Sequence, residues 1–97
     1  MAEPQVKGLR LDVWLWRARF FKTRALATDH VSRRGIRISR NGETRKTTKP
    51  GTRVGVGDLL TFSRVQRLDM VEIVALGIRR GPASEAQALY SRIEPET

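Results

Sequence analysis

Apolar residues recur at helical spacing twice in the first third of the chain. A first helix is predicted over residues 10–19, because four apolar residues stand at positions i, i+3, i+4 and i+7. These are Leu11, Trp14, Leu15 and Ala18. A second helix is predicted from the capping residue Thr23 to about Arg34, with Gly35 marking its end. Its predicted inner stripe is Leu26, Ala27, His30 and Val31.

After Gly35 the period of the apolar positions changes to two, which is typical of strands. A first strand is predicted over residues 36–39, and Asn41-Gly42 is a strong turn signal. Further strands are predicted near residues 54–56 and 59–62. A strand pair over residues 61–67 and 70–76 is predicted to turn near Leu68-Asp69.

A short closing helix is predicted where Ser84 and Gln87 match a capping box. Its predicted packing face is Ala86, Leu89, Tyr90 and Ile93. The whole pattern predicts the α+β class: two antiparallel N-terminal helices packed on a small mixed or antiparallel β-sheet, with a short C-terminal helix.

Length and composition predict one compact cytoplasmic domain. The chain has 97 residues, of which 39% are hydrophobic, enough for one modest core. No stretch approaches the roughly 18 apolar residues that a membrane span needs, and the start lacks the apolar segment of a secretory signal. With no cysteine, disulfides and thiolate metal sites are excluded. We therefore expect no membrane partner.

The charge is concentrated in the first part of the chain. Residues 1–58 carry 14 basic and five acidic side chains, a net charge of +9, whereas residues 59–97 carry five of each. Of the 19 basic residues 15 are arginine, whose planar guanidinium binds phosphate in a bidentate manner and stacks on bases. This asymmetry favours a surface that binds a polyanion, and the alternative is a solvated basic face without a partner.

Catalysis finds little support in the sequence. The only histidine, His30, lies on the predicted inner stripe, where a packed core residue is commoner than a base or ligand. No nucleophile–base set, carboxylate pair or metal-ligand cluster has a useful spacing, and Gly55 and Gly57 fit turns rather than a phosphate loop. We therefore predict no enzyme activity, catalytic residue, metal, cofactor or small-molecule substrate.

The basic residues predict a concave positive surface. One group surrounds the corner between the two helices, and a second follows at the exit of helix two and along the hairpin. The first group is Arg10, Arg17, Arg19, Lys22 and Arg24; the second is Arg33, Arg34, Arg37, Arg40, Arg45, Lys46 and Lys49. Of the two tryptophans, Trp14 fits the core. Trp16 is expected to pack on the sheet or a loop, with base stacking as the alternative.

Several motifs follow one another in a fixed order over residues 9–62. They are Arg10-Leu11-Asp12, Leu15, Thr23-Arg24 with Ala25, Ala27 and Val31, Gly35, Asn41-Gly42, Lys49-Pro50 and Val54 to Gly57-Asp58. In order and spacing they resemble the S-four domain, an RNA-binding domain named after ribosomal small-subunit protein four.

Two longer segments are similar to the family of the ribosome-associated heat-shock protein fifteen. They are Arg10 to Trp16 with Ala18-Arg19-Phe20 and Lys22 to Ala27, and Arg79-Arg80 with Pro82 to Ala86, Leu89 and Tyr90. The hairpin departs from the family pattern, because Arg40 is an extra residue before the turn and residues 43–48 lengthen the stretch that follows.

The resemblance implies a helix-pair RNA-binding face, the alpha-L motif, on a short β-rich body. Nine matching positions are expected to line that face: Arg10, Arg19, Lys22, Thr23, Arg24, Arg34, Arg37, Asn41 and Gly42. The neighbouring cations Arg17, Arg33, Arg45 and Lys46 complete the predicted RNA-binding set. Asp12 is expected to hold the helix corner, by capping or by pairing with an arginine.

Composition and the resemblance together predict a division of the chain, in which the polar, proline-containing ends are the tails. Residues 1–8 are expected to be a flexible tail, residues 9–62 the S-four-like domain, residues 63–93 a strand and helix extension on the same core, and residues 94–97 a C-terminal tail.

Members of the heat-shock family bind the large ribosomal subunit, particularly one blocked by a nascent chain retained on transfer RNA, and help return it to use. We therefore predict a monomeric, non-catalytic protein that binds structured ribosomal RNA of the large subunit, with retained peptidyl-tRNA as a further contact, and recycles stalled subunits under heat stress. Two alternatives stay open. S-four domains also target pseudouridine synthases and methyltransferases to RNA, and the basic surface would serve a general nucleic-acid or DNA-binding protein.

Overall fold

The computed structural model describes residues 8–93, which form three helices and seven strands. In chain order these are β1 (Leu9–Arg10), α1 (Leu11–Arg17), α2 (Arg24–Arg34), β2 (Ile36–Arg40), β3 (Glu43–Thr47), β4 (Arg53–Val54), β5 (Leu59–Arg64), β6 (Arg67–Ile73), α3 (Ala83–Gln87) and β7 (Tyr90–Arg92). The predicted α+β class is confirmed. Apart from Gly8, the predicted tails lie outside the described residues.

Helix α1 ends earlier than predicted because Arg19 adopts a left-handed conformation, with a φ of 65°. The Phe20 N–H donates to the Leu15 carbonyl (3.0 Å), and the Arg19 N–H donates to the Trp16 carbonyl (3.0 Å). This is the bonding pattern of a Schellman C-cap, where glycine is the usual left-handed residue. The sequence has no glycine there, so the local pattern contains no stop signal.

Helix α2 begins and ends where predicted. The Thr23 hydroxyl accepts a hydrogen bond from the Leu26 N–H (3.0 Å), and Gly35 follows the last turn with a φ of 79°. The buried stripe is narrower than predicted, because only Ala27 and Val31 of this helix are buried. The prediction of Leu26 as an inner residue is wrong, since that side chain is 51% exposed.

Five strands form one antiparallel sheet in the order β3-β2-β5-β6-β7, and β1 pairs with β4 in a separate antiparallel ribbon. Alternate residues of the central strands are buried on one face: Ile36, Ile38, Leu60, Phe62, Val71 and Ile73. They form a single core with Leu11, Trp14 and Leu15 of α1. The predicted domain boundary between residues 62 and 63 falls inside β5.

The turn between β5 and β6 falls at Val65-Gln66, earlier than the predicted turn at Leu68-Asp69. Asp69, whose residue type favours turns, is instead a fully buried strand residue that is ion-paired. Both turn residues have positive φ, 32° for Val65 and 60° for Gln66. A two-residue hairpin turn of this kind favours Asn-Gly, so the natural residues leave the turn strained.

We expect the double substitution Val65→Asn/Gln66→Gly to raise the free energy of unfolding by about 1–2 kcal/mol, because it relieves that strain. Val65 is 96% exposed, so the change removes almost no packing. Urea unfolding followed by the fluorescence of buried Trp14 measures the effect. The control Val56→Asn, at an exposed position without positive φ, should change stability by less than about 0.5 kcal/mol. Equal midpoints for all three proteins would show that the turn is not strained.

The closing helix is shorter than predicted and leads into a strand. Helix α3 spans Ala83–Gln87 with Pro82 as its N-cap residue, and the predicted capping box of Ser84 and Gln87 does not form. Tyr90, predicted on the helix face, instead begins β7 and pairs with Ile73 of β6. The edge of β6 offers backbone hydrogen bonds that a longer helix could not use, which overrides the helical spacing.

Candidate nucleic-acid interface

Asp12 organises the corner between the two helices through a bidentate ion pair with Arg10. Arg10 Nε donates to Asp12 Oδ1 and Arg10 Nη2 to Oδ2, both at 3.0 Å, and the Thr28 hydroxyl donates to Oδ2 at 2.8 Å. Burial alone would raise the pKa of Asp12. The hydrogen bonds from Arg10 and Thr28 and the charges of Arg10 and Arg24 together hold that pKa below its ordinary value. Of the two predicted roles for Asp12, arginine pairing is confirmed and capping is wrong.

Arg17 and Arg19 connect α1 to the segment that precedes α3. Arg17 Nη1 donates to the Gly77 carbonyl and Arg19 Nε to the Gly81 carbonyl, both at 2.7 Å. Arg80 of the same segment lies over the Trp16 ring, 5.9 Å from its centroid. The structure therefore gives these two predicted RNA-binding arginines an internal bonding role, and gives Trp16 the packing role that the sequence favours.

Four further members of the predicted set occupy helix and turn positions. Thr23 uses its hydroxyl as the N-cap of α2, and Arg33 forms an exposed ion pair with Asp29 at 2.9 Å. Asn41 and Gly42 form the exposed β2–β3 turn, both with positive φ. The Asn41-Gly42 turn predicted from the sequence is confirmed as a turn.

The remaining predicted cations are exposed and hold no hydrogen bond or ion pair from their side chains within residues 8–93. They are Lys22, Arg24, Arg34, Arg37, Arg45 and Lys46. Lys49, which the sequence places in the basic hairpin but outside the predicted binding set, has the same status. These side chains keep their donors available for an external anion.

Three adjoining surface depressions join six of these cations into one strip. A depression of about 410 Å³ is lined by Lys22 and Arg34, and one of about 210 Å³ by Arg34, Arg37 and Lys46. The third, about 550 Å³, is lined by Lys46, Arg45 and Lys49. We call these six residues the basic band. Arg24 lies outside it, at the first turn of α2.

The register of the β2–β3 pair determines on which face of the sheet three residues of the basic band lie. Arg37 and Lys46 are opposite each other, so their side chains share one face of the sheet, while Arg45 lies on the other face. Gly35 lies close to β3: a Cβ there would lie 3.2 Å from the Thr47 carbonyl oxygen and 2.6 Å from Cε of the flexible Lys46 side chain. The glycine that ends α2 therefore also lets the hairpin pack closely against that helix end.

Arg40 lies in the hairpin as predicted but is ion-paired, and Arg53 lies beside the hairpin although it was not among the predicted site residues. Arg40, counted among the hairpin cations, is bonded to Asp58 in a bidentate manner at 2.8 and 2.6 Å. Arg53 lines the same depression as Arg45 and donates to the Gly8 carbonyl at 3.1 Å. Residues 49–53 lie within a Pro-Gly break in the sequence pattern, and no local signal shows that the chain returns beside the hairpin.

Five carboxylates of residues 8–93 are neutralised by arginines outside the basic band. The acidic partners are Asp12, Asp29, Asp58, Asp69 and Glu85. Glu43 also lines the third depression, but it is one carboxylate against the six cations of the band. The band therefore carries a net positive field, which suits phosphate. In the same residues, no three His, Cys, Asp or Glu side chains are grouped to hold a metal ion. Nor does the described chain contain a helix of the length and apolarity needed to cross a membrane.

The chain resembles proteins of known family in sequence and in fold. Heat shock protein 15 of Escherichia coli (strain K12) is 39% identical over 90 residues, which cover 93% of this chain and 64% of that protein. The heat shock protein 15 homolog of Aeromonas salmonicida is 38% identical over 86 residues, covering 89% and 61%. The solved structure of heat shock protein 15 from Vibrio cholerae superposes with a TM-score of 0.75 at 34% identity, covering 90% of this chain and 83% of that one. The chain belongs to the heat shock protein 15 family.

Membership in the heat shock protein 15 family confirms the resemblance found in the sequence. The chain spans 61% and 64% of the length of the Aeromonas and Escherichia proteins. No protein-family profile matches it. The Vibrio heat shock protein 15 is a trimer, which gives no support to the prediction that this chain is a monomer.

Proposed function

We propose that this protein binds structured ribosomal RNA of the large subunit through the basic band. The observation that carries the proposal is that the basic residues of the protein fall into two classes. Arginines beside carboxylates stabilise the fold, whereas the six band residues have no side-chain partner within residues 8–93 and line adjoining depressions. Exposed cations held at fixed spacing by a helix end and a hairpin suit the phosphates of a folded RNA.

Family membership supports the ribosomal part of the proposal. The protein is proposed to be non-catalytic and cytoplasmic, to act under heat stress, and to help recycle large subunits that retain peptidyl-tRNA. Arg10, Thr23, Arg24, Arg33, Asn41 and Gly42 are proposed to flank the band at the RNA surface. Arg17 and Arg19 are better suited to holding the segment that precedes α3, since they donate to the carbonyls of Gly77 and Gly81 there.

Co-sedimentation with purified ribosomal subunits at about 0.15 M salt tests the proposal. We expect the protein to pellet with large subunits and to stay in the supernatant with small subunits. The double variant Arg34→Ala/Arg45→Ala should lose this binding, because it removes two band cations that have no internal partner. The control Arg67→Ala/Arg79→Ala removes the same charge outside the band and should still pellet.

The outcomes separate the alternatives. Equal binding to both subunits and to random duplex DNA would favour a general nucleic-acid-binding protein. Recovery in the supernatant with both subunits would contradict the ribosomal proposal. Size-exclusion chromatography of the free protein, over a range of concentrations, separates a monomer from the trimer seen for the Vibrio relative.

A further inference from the structure

An apolar depression opens at one end of the basic band. Phe21 and His30 lie side by side in it, with ring centroids 4.9 Å apart and planes inclined by 45°. The exposed side chains of Leu26 and Val65 also line it, from α2 and from the β5–β6 turn. The depression is open to solvent and measures about 410 Å³.

Leu26 and Val65 are unusual at these positions. Leu26 replaces the polar residue expected on the outer face of a helix, and is 51% exposed. Val65 is a β-branched residue at positive φ and is 96% exposed, so it stabilises neither the turn nor the core. Two exposed apolar side chains line the same depression as an aromatic pair, and together they form an apolar wall that a ligand with an apolar face would cover.

The charges around the depression indicate which ligand. Lys22 and Arg34 line it without a side-chain partner within residues 8–93, and Arg34 also belongs to the neighbouring depression of the band. Arg64 lines it too, but its charge is neutralised by Asp69 at 2.7 Å. Burial and the charges of Arg34 and Arg64 lower the pKa of His30, although the charge of Asp29 acts in the opposite direction. The lowered pKa favours the neutral imidazole.

We propose that this depression binds one unstacked base of a looped or bulged RNA, with Phe21 as the stacking surface and Lys22 and Arg34 on the flanking phosphates. The inference rests on the proposed function and deepens it, because the band alone would bind any RNA backbone. Stacking of a base on an aromatic ring tolerates every base, so the site selects unpaired RNA rather than a sequence. An apolar side chain of a protein partner would use the same apolar wall but not the two cations.

The test compares two RNA hairpins that differ by a single unpaired 2-aminopurine in the stem. We expect the wild-type protein to bind the bulged hairpin more tightly than the fully paired one, and to quench the 2-aminopurine fluorescence. Phe21→Leu keeps apolar volume but removes the ring, so it should lower affinity for the bulged hairpin by roughly 5- to 100-fold. Its affinity for the paired hairpin should stay unchanged.

A second variant keeps the test valid if Phe21→Leu fails to fold. Leu26→Gln replaces an exposed helix residue with another good helix former, and should also weaken binding of the bulged hairpin. The matched control Ile78→Gln changes an 88% exposed apolar residue away from the depression, and should have no effect.

The results distinguish failure of this inference from failure of the proposed function. Binding of both hairpins with equal affinity, or without quenching, would overturn the base site while leaving the RNA-binding function standing. If the wild-type protein bound neither hairpin, that result would overturn the RNA-binding function itself, and the base site with it.

Discussion

The double variant Arg37→Ala/Lys46→Ala should lose about 2–4 kcal/mol of binding free energy for structured RNA, or about 30- to 1,000-fold in affinity. The two side chains face each other across the β2–β3 pair, and both line the same depression as Arg34. A phosphate bound there would accept charge-assisted hydrogen bonds from both. We expect their removal to leave the fold unchanged, since both side chains are exposed and neither forms a hydrogen bond or ion pair within residues 8–93.

Salt dependence gives the same variant a second, independent measurement. Affinity should be measured by fluorescence anisotropy between about 50 and 200 mM salt, where each lost phosphate contact lowers the slope of log affinity against log salt by about 0.7–0.9. We expect the slope to fall by about 1.4–1.8 in magnitude. The equally charged control Arg67→Ala/Arg79→Ala should keep nearly the wild-type slope. Equal losses in both variants would mean that binding follows net charge and not the band.

Features fixed by local chemistry could be predicted from the sequence. Thr23 and Gly35 bound α2 because a hydroxyl caps free N–H groups and a glycine accepts positive φ, and both effects act within a few residues. The Asn41-Gly42 turn follows from the same kind of chemistry. The α1 stop at Arg19 and the turn at Val65-Gln66 lack their usual residues, and tertiary packing places them instead.

The function of each arginine could not be predicted in the same way. Arg17 and Arg19 reach carbonyls 60 and 62 residues away, and Arg40 reaches a carboxylate 18 residues away. No sequence pattern shows that Arg40 is neutralised while Arg45 is not. The sequence therefore predicts how much positive charge the first half of the chain carries, but the folded structure decides which cations remain available to RNA.

The same division of arginines explains how the strongly basic chain holds its C-terminal strands together. Asp69 is fully buried in β6 and accepts hydrogen bonds from Arg64 Nε at 2.7 Å and from Arg92 Nη1 at 2.9 Å. Arg64 also donates to the Phe20 carbonyl at 3.0 Å, at the end of the α1 cap. One carboxylate therefore links β5, β6 and β7 to the helix pair.

Asp69→Asn should lower the free energy of unfolding by about 3–5 kcal/mol, because it leaves two partly buried guanidinium groups facing a neutral amide. That is a large share of the 5–15 kcal/mol typical of a small domain. Urea unfolding followed by tryptophan fluorescence measures it. The control Asp29→Asn breaks an ion pair whose side chains are 56% and 77% exposed, and should cost less than about 0.5 kcal/mol. Similar small losses in both variants would show that the buried carboxylate does not hold the strands together.

The pH dependence of stability provides a second measurement of what the Asp69 carboxylate contributes. Burial alone would raise the pKa of Asp69, but the hydrogen bonds and charges of Arg64 and Arg92 hold it below the ordinary value. A carboxyl group with a lowered folded pKa stabilises the fold above its unfolded pKa of about 3.9, and this contribution is lost as the pH falls through the folded pKa. The wild-type protein should therefore lose stability below about pH 4, and Asp69→Asn should lose less over the same range. Because Asp12 has a pKa lowered in the same direction, the variant's curve should flatten without becoming level.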